Sequence, residues 1–270
     1  LLTEVAGIGK KNAGSVILEL TIRFVQTLGG TTLQSWAGVQ VGEGDELLSL
    51  MDHLNQEWTR LGASTQQAGA FDVPLAEALA GQAWVTSTRV HFCAQAHDAV
   101  PWTHPDSPLL SVLSGVLRNG YLHPNIREKG GAYGGGASYD AESASFKLYS
   151  YRDPRLLETF EVFDGSLAWL LSDAAKSELV EEAILGVIGA MDKPSSPAGE
   201  AKKLFHLDLI GKTHTARMNW RKGVISATLS DIRRVAETYL VDAGKTRAVL
   251  THEAGAKSAE DVLGFNVFEV

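Results

Sequence analysis

The sequence predicts an α+β fold, an antiparallel sheet with helices packed on one face, preceded by a partial helical segment. Three observations lead there. Residues 84–96 and 143–152 alternate in character with a period of two, as strands with unequal faces do. The segments after residue 155 repeat apolar side chains every three or four positions, which gives helices with one greasy stripe. The order is strand, helix, paired strands, several helices, strand, without the regular alternation of a doubly wound parallel sheet.

Residues 1–14 are punctuated by Gly7 and Gly9, with Lys10 and Lys11 behind them, and read as a loop or strand end. From Val16 the apolar positions Ile17, Leu20, Phe24, Val25 and Leu28 follow the helical period, and Gly29-Gly30 supplies a stop. Residues 31–44 leave room for a short strand near Val39 and Val41. Asp45 can cap a second helix whose stripe is Leu47, Leu48, Met51, Leu54, Trp58 and Leu61. His53 sits beside that stripe with Glu57 four residues on, a spacing that imitates a ligand pair; with no third ligand near, a structural role is expected.

Trp84 to Ala96 sets Val90, Phe92 and Ala94 on one face and Arg89, His91 and Cys93 on the other. After a proline-bearing loop at 100–107, a helix from Pro108 carries Leu109, Leu110, Val112, Leu113, Val116 and Leu117 and stops at Asn119-Gly120. A strand over Ser143–Arg152 points Ala144, Phe146 and Leu148 one way and Lys147, Tyr149 and Tyr151 the other, and forms a hairpin with the preceding extended segment near Asp140-Ala141-Glu142. Helices follow over 155–171 (Leu156, Phe160, Phe163, Leu167, Leu170) and 177–191 (Leu179, Ile184, Val187, Ile188, Met191). A loop at 193–199 separates these from helices near 201–210 and 213–222. Ser230-Asp231 caps a last helix through Val235 and Tyr239, before a strand at 246–251.

Composition narrows the function classes. Hydrophobic content of 44% and charged content of 21% describe a globular chain, and a net charge of -8 argues against a nucleic-acid surface. No apolar run is long enough for a membrane span. The single cysteine, Cys93, permits neither an internal disulfide framework nor a cysteine-type zinc site. The chain begins at Leu1 and not at a methionine, without a signal-peptide pattern, so a fragment or a processed product is expected. The compartment stays open, with a soluble setting in the cytoplasm or an organelle matrix favoured.

Residues 127–136, Arg-Glu-Lys-Gly-Gly-Ala-Tyr-Gly-Gly-Gly, contain five glycines in ten positions. Glycine loses more backbone entropy on ordering than any other residue, so the cluster implies positive φ or a close backbone approach. A phosphate cradle would need G-x-x-x-x-G-K-[ST] or a G-x-G-x-x-G between strand and helix, and neither is present. A tight turn followed by a bulged strand remains an alternative. Arg127 and Tyr133 flank the glycines with a fixed guanidinium and a hydroxyl donor, groups suited to holding a carbonyl or a developing oxyanion. The bland alternative is a surface arginine and a sheet-packed tyrosine.

The run Leu117-Arg118-Asn119-Gly120-Tyr121-Leu122-His123, with Ile126 to Gly136, Tyr149 to Pro154, Glu182 to Gly189 and Asp192-Lys193-Pro194, resembles the pitrilysin and insulinase group of zinc metallopeptidases, in its presequence-protease branch. The similarity spans roughly residues 81 to 240 and points to the last of that family's four homologous domains. It implies a last pitrilysin-like α+β domain over residues 81–270; residues 1–80 carry no comparable match and are expected to be a helical segment that ends the preceding homologous domain. The family's H-x-x-E-H zinc signature is absent: none of the eight histidines fits, with His252-Glu253 nearest and His91, His97 and His104 too widely spaced. The resemblance therefore implies zinc in the full-length enzyme but not on this chain, which alone would be inactive.

Its implied partners are an N-terminal half carrying the zinc motif and an unstructured peptide substrate, with no nucleic acid and no membrane. In that scheme Tyr133 and Arg127 reach the substrate from the wall opposite the metal, and Gly130 and Gly131 let the peptide approach. His123 and Lys129 are scaffold. A non-catalytic homologue acting as scaffold or peptide-recognition subunit is the alternative.

Overall fold

The computed structural model describes residues 20–22, 37–39, 49, 52–53, 56, 81–241 and 244–269. The chain divides into two compact units, Leu1–Leu75 with Lys193–His214, and Ala76–Asp192 with Thr215–Val270. In the first, β1 (Leu20–Ile22) pairs antiparallel with β2 (Ala37–Val39), Leu20 opposite Val39. The helix expected from Val16 is thus corrected at Leu20–Ile22, where β-branched Thr21 and Ile22 favour an extended chain; the rest of its span lies outside the described residues. Ser49, Asp52, His53 and Gln56 are exposed and helical, the polar side of the helix expected after Asp45. Glu57 and the apolar stripe of that helix lie outside the described residues.

The second unit is built on a six-stranded sheet in the order β5-β6-β4-β7-β3-β8. Its first two strands, β3 (Gly81–Val85) and β4 (His91–Asp98), occupy what reads in sequence as one extended stretch. Helix α1 (Ser107–Leu117) buries Leu110, Val112, Leu113, Val116 and Leu117, and its first residue is tied to the core by a Trp220 Nε1 to Ser107 Oγ bond of 3.0 Å. The expected stop at Asn119-Gly120 is absent, because the chain continues as a π-helix over Arg118–Glu128. Gly120 serves packing there: a Cβ would lie 2.4 Å from the Trp169 ring.

The hairpin is present as β5 (Gly134–Asp140) and β6 (Ser145–Asp153), antiparallel with Gly134 opposite Tyr151. Asp140 Oδ1 accepts the N–H groups of Glu142 and Ser143 to close its turn. Helices α2 (Leu157–Leu171) and α3 (Ser177–Met191) follow. Leu156, Phe160, Phe163 and Leu170 are buried as their spacing requires. In α3 the most buried side chains are instead Val180 and Ala183, since Gly115 of α1 comes so close that its Cβ would stand 2.9 Å from that of Ala183. The larger apolar residues of α3 pack at the margin.

Helix α4 (Pro197–Leu209) belongs to the first unit and begins inside the loop expected at 193–199, with Pro197 as its first residue. Helices α5 (His214–Ile225) and α6 (Leu229–Ala236) precede a π-helical turn at Glu237–Val241. The cap of α6 is Thr228, with Asp231 as the reciprocal third residue of a capping box, which corrects the expected Ser230-Asp231 cap by two residues. Strand β7 (Lys245–Thr251), helix α7 (Glu253–Leu263) and strand β8 (Asn266–Glu269) complete the unit. The sheet is antiparallel from β5 through β7, whereas β3 runs parallel to both β7 and β8. Helix α7 leaves no stripe in the sequence because it buries Gly255, Ala256 and Ala259, residues too small to draw one.

Helices of the second unit cover one face of this sheet, where Ala83, Cys93, Phe146, Leu148 and Val249 are buried. Strand β4 inverts the usual alternation: His91, Cys93, Gln95 and His97 face the helices, and Ala94 is exposed. Buried polar groups require partners. Gln95 accepts from Arg247 Nε at 2.7 Å and meets His97 Nε2 at 3.0 Å, while His91 Nδ1 is bonded to the Thr251 hydroxyl at 2.7 Å. Arg247 in turn holds both oxygens of Asp164 at 2.6 Å. Burial, with Lys245 nearby, lowers the His97 pKa to about 4, so this network is neutral at His97 near pH 7.

Candidate functional site

The glycine stretch joins the π-helix to β5, and its geometry follows from three constraints. The π-helix contains Pro124, which offers no N–H, and it ends with the Lys129 N–H donating to Pro124 O five residues back. A π turn is wider than an α turn, and such turns recur at functional sites. Gly130 then passes directly over the Arg155 guanidinium, where a Cβ would lie 1.7 Å from Nη2 and 2.4 Å from Ile126 O. Gly131 turns the chain with φ of 79°, its N–H donating to Arg127 O.

Arg155 fixes this loop from below. Its Nη2 donates to Asn125 O at 2.9 Å, and its N–H donates to Asp153 Oδ1 at 3.0 Å. Asp153 is buried and accepts a second bond from Thr159 Oγ1 at 2.8 Å, so one carboxylate ties the end of β6 to α2. The result is a loop whose backbone is held at Gly130 and whose flanking side chains project outward.

Both flanking residues are exposed. Arg127, in the last turn of the π-helix, meets His123 Nε2 at 3.2 Å one turn earlier. His123 also lies 3.4 Å from Glu128. Lys129 donates to Asn125 Oδ1 at 3.2 Å. Tyr133 is 65% exposed; its N–H donates to Arg152 O at 3.2 Å, its ring centre lies 5.6 Å from that of Tyr151, and the Arg152 guanidinium stands 5.5 Å from it. Gly131 is exposed and Gly130 buried. Tyr151, Arg152 and Arg155 carry no mark of their place here in the sequence beyond the run Tyr149 to Pro154, because these contacts cross from one segment to another and leave no periodic signal.

Chemically the arrangement offers an exposed phenol hydroxyl and a permanent cation on a loop packed against Arg155. A zinc ion does not fit the described residues. The His91 and His252 rings approach to 5.3 Å, but His91 Nδ1 is engaged by Thr251, and His252 Nδ1 accepts the Gly255 N–H as the cap of α7. Among the described residues no group of three or more His, Cys, Asp and Glu side chains could hold a metal ion. Cys93 is buried, and that burial pushes its thiol pKa up to about 12, so it is no nucleophile. No helix among the described residues is long and apolar enough to cross a membrane.

Residues 82–251 match the family model described as the PreP C-terminal domain. Mitochondrial presequence proteases of Kluyveromyces lactis and Saccharomyces cerevisiae are each 41% identical to this chain, over 153 and 155 residues. These matches cover 56% and 57% of the chain but 15% of either relative, so the chain corresponds to a small part of their length. Among solved structures, a protease from Helicobacter pylori superposes with a TM-score of 0.63 at 14% identity, over 80% of this chain and 54% of that one. A peptidase M16 inactive domain from Pseudomonas fluorescens gives 0.59 at 14% identity, over 76% and 51%. At such identities the likeness is one of fold.

Proposed function

The chain belongs to the family of the PreP C-terminal domain, within the pitrilysin and insulinase peptidases, and from that premise we propose that it is the metal-free C-terminal portion of a zinc-dependent endopeptidase that degrades unstructured peptides. Its partner is an N-terminal half that holds the zinc, and the names of the relatives favour a mitochondrial compartment.

The observation that carries the reading is the outward projection of Tyr133 and Arg127 from the two ends of one braced glycine loop. When a peptide carbonyl is attacked, negative charge grows on its oxygen. A phenol hydroxyl fixed nearby binds that oxygen more strongly in the transition state than in the ground state, which is the condition for raising kcat. Tyr133 is the donor. Arg127 is always charged and fork-shaped, and it holds substrate carbonyl or carboxylate groups near the same place. Gly131 lines the approach, and Gly130 shapes it by letting the backbone sit against Arg155.

The test is Tyr133→Phe in the complete enzyme, with cleavage of a fluorogenic peptide as the readout. The expected loss in kcat is on the order of a hundredfold, with KM nearly unchanged. The 270-residue chain alone should neither bind zinc stoichiometrically nor hydrolyse the peptide. A silent Tyr133→Phe would overturn the assignment and leave a scaffold or peptide-recognition role.

A further inference from the structure

We infer that Arg152 is the positioning residue for Tyr133, and that a bulge at the end of β6 exists to place it. The inference rests on the assignment of Tyr133 as hydroxyl donor.

The register across β4 and β6 carries the argument. His91 stands opposite Asp153 and Cys93 opposite Ser150, so two steps on β4 face three on β6. One extra residue is therefore inserted between Ser150 and Asp153. Arg152 has φ of 49°, in the left-handed region. A bulge of this kind locally breaks the alternation of a strand and re-aims a side chain. In a regular strand Tyr151 and Arg152 would point to opposite faces. Here both reach one ring, with Tyr151 at 5.6 Å and the Arg152 guanidinium at 5.5 Å from the Tyr133 centre.

Arg152 also holds Tyr133 through the backbone, since its carbonyl accepts the Tyr133 N–H at 3.2 Å. One residue thus fixes where the Tyr133 main chain lies and which way its ring leans. A glycine would adopt this φ with less strain. The arginine brings a strained backbone and a cation together, at a position where its side chain is exposed and makes no ion pair among the described residues. A cation over an aromatic face is attracted by the ring quadrupole, and it restricts an otherwise mobile, solvent-facing phenol.

The experiment separates shape from charge. Arg152→Gly suits the backbone but removes the guanidinium; Arg152→Lys keeps the cation. Each is made in the complete enzyme for kinetics, alongside Tyr133→Phe, and in the 270-residue chain with isotope-labelled tyrosine, where the Tyr133 ring resonances report the contact directly. For Arg152→Gly the expected result is an unfolding midpoint equal to or above the parent, displaced Tyr133 resonances, and a kcat about three- to tenfold lower with KM within about twofold. Arg152→Lys should recover most of both signals. Unmoved resonances in Arg152→Gly would overturn the inference, as would a raised KM with kcat intact, which would make Arg152 a substrate contact. A silent Tyr133→Phe strikes the assignment of Tyr133 and leaves the resonances to decide the Arg152 contact.

Discussion

Glycines occur in two settings in the second unit, and their surroundings differ in kind. Gly130 in the loop before β5 is crowded on the side where a Cβ would stand, by the Arg155 guanidinium and by Ile126 O. Gly186 and Gly189, in the interior and last turn of α3, have nothing within 4 Å of that position among the described residues. Both sets fall inside the runs that resemble the presequence-protease branch, so the resemblance does not tell them apart. The difference teaches that glycine at the loop is a steric requirement of the braced backbone. On the helix it costs stability without a packing return.

Gly130→Ala is the sharpest way to break that contrast. Its Cβ would meet a backbone oxygen at 2.4 Å as well as the arginine, and backbone cannot swing aside as a side chain does. The loss should be about 3 kcal/mol or more, read from the urea midpoint of the chain. A loss below about 1 kcal/mol would mean that the loop relaxes freely and that crowding does not distinguish it. Gly131→Ala is a smaller and different break. The site is roomy, with Pro154 Cγ at 3.6 Å, so the cost is the left-handed backbone alone. About 1 kcal/mol is expected, and Gly131→Asn should lose less, because asparagine tolerates that conformation.

The sequence made the large apolar positions legible, and with them most of the second unit. Phe146, Leu148, Phe160, Phe163 and Leu170 are buried as their spacing requires, and the hairpin turns at the expected place. What escaped notice lacks a large side chain or a local pattern. Helix α7 buries glycine and alanine, so no stripe announces it. Strand β4 buries polar residues because Arg247, Thr251 and Asp164 reach it from far along the chain. At the site, Arg127 and Tyr133 could be named from their flanking positions. Their neighbours Tyr151, Arg152 and Arg155 could not, since a one-residue bulge brings the first two onto the same ring and only the fold brings the third under Gly130.

Gly186→Ala reverses the sign. Residue 186 is exposed and lies well inside α3, ten residues into a helix of fifteen, so alanine enters open space and removes backbone freedom from the unfolded chain. A gain of about 0.5 to 1 kcal/mol is expected in the urea midpoint. The neighbouring Leu185 is 73% exposed, so its surroundings impose no competing packing demand. If alanine here destabilised the chain instead, the space around α3 would not be open in solution, and the two glycine settings would differ in degree and not in kind.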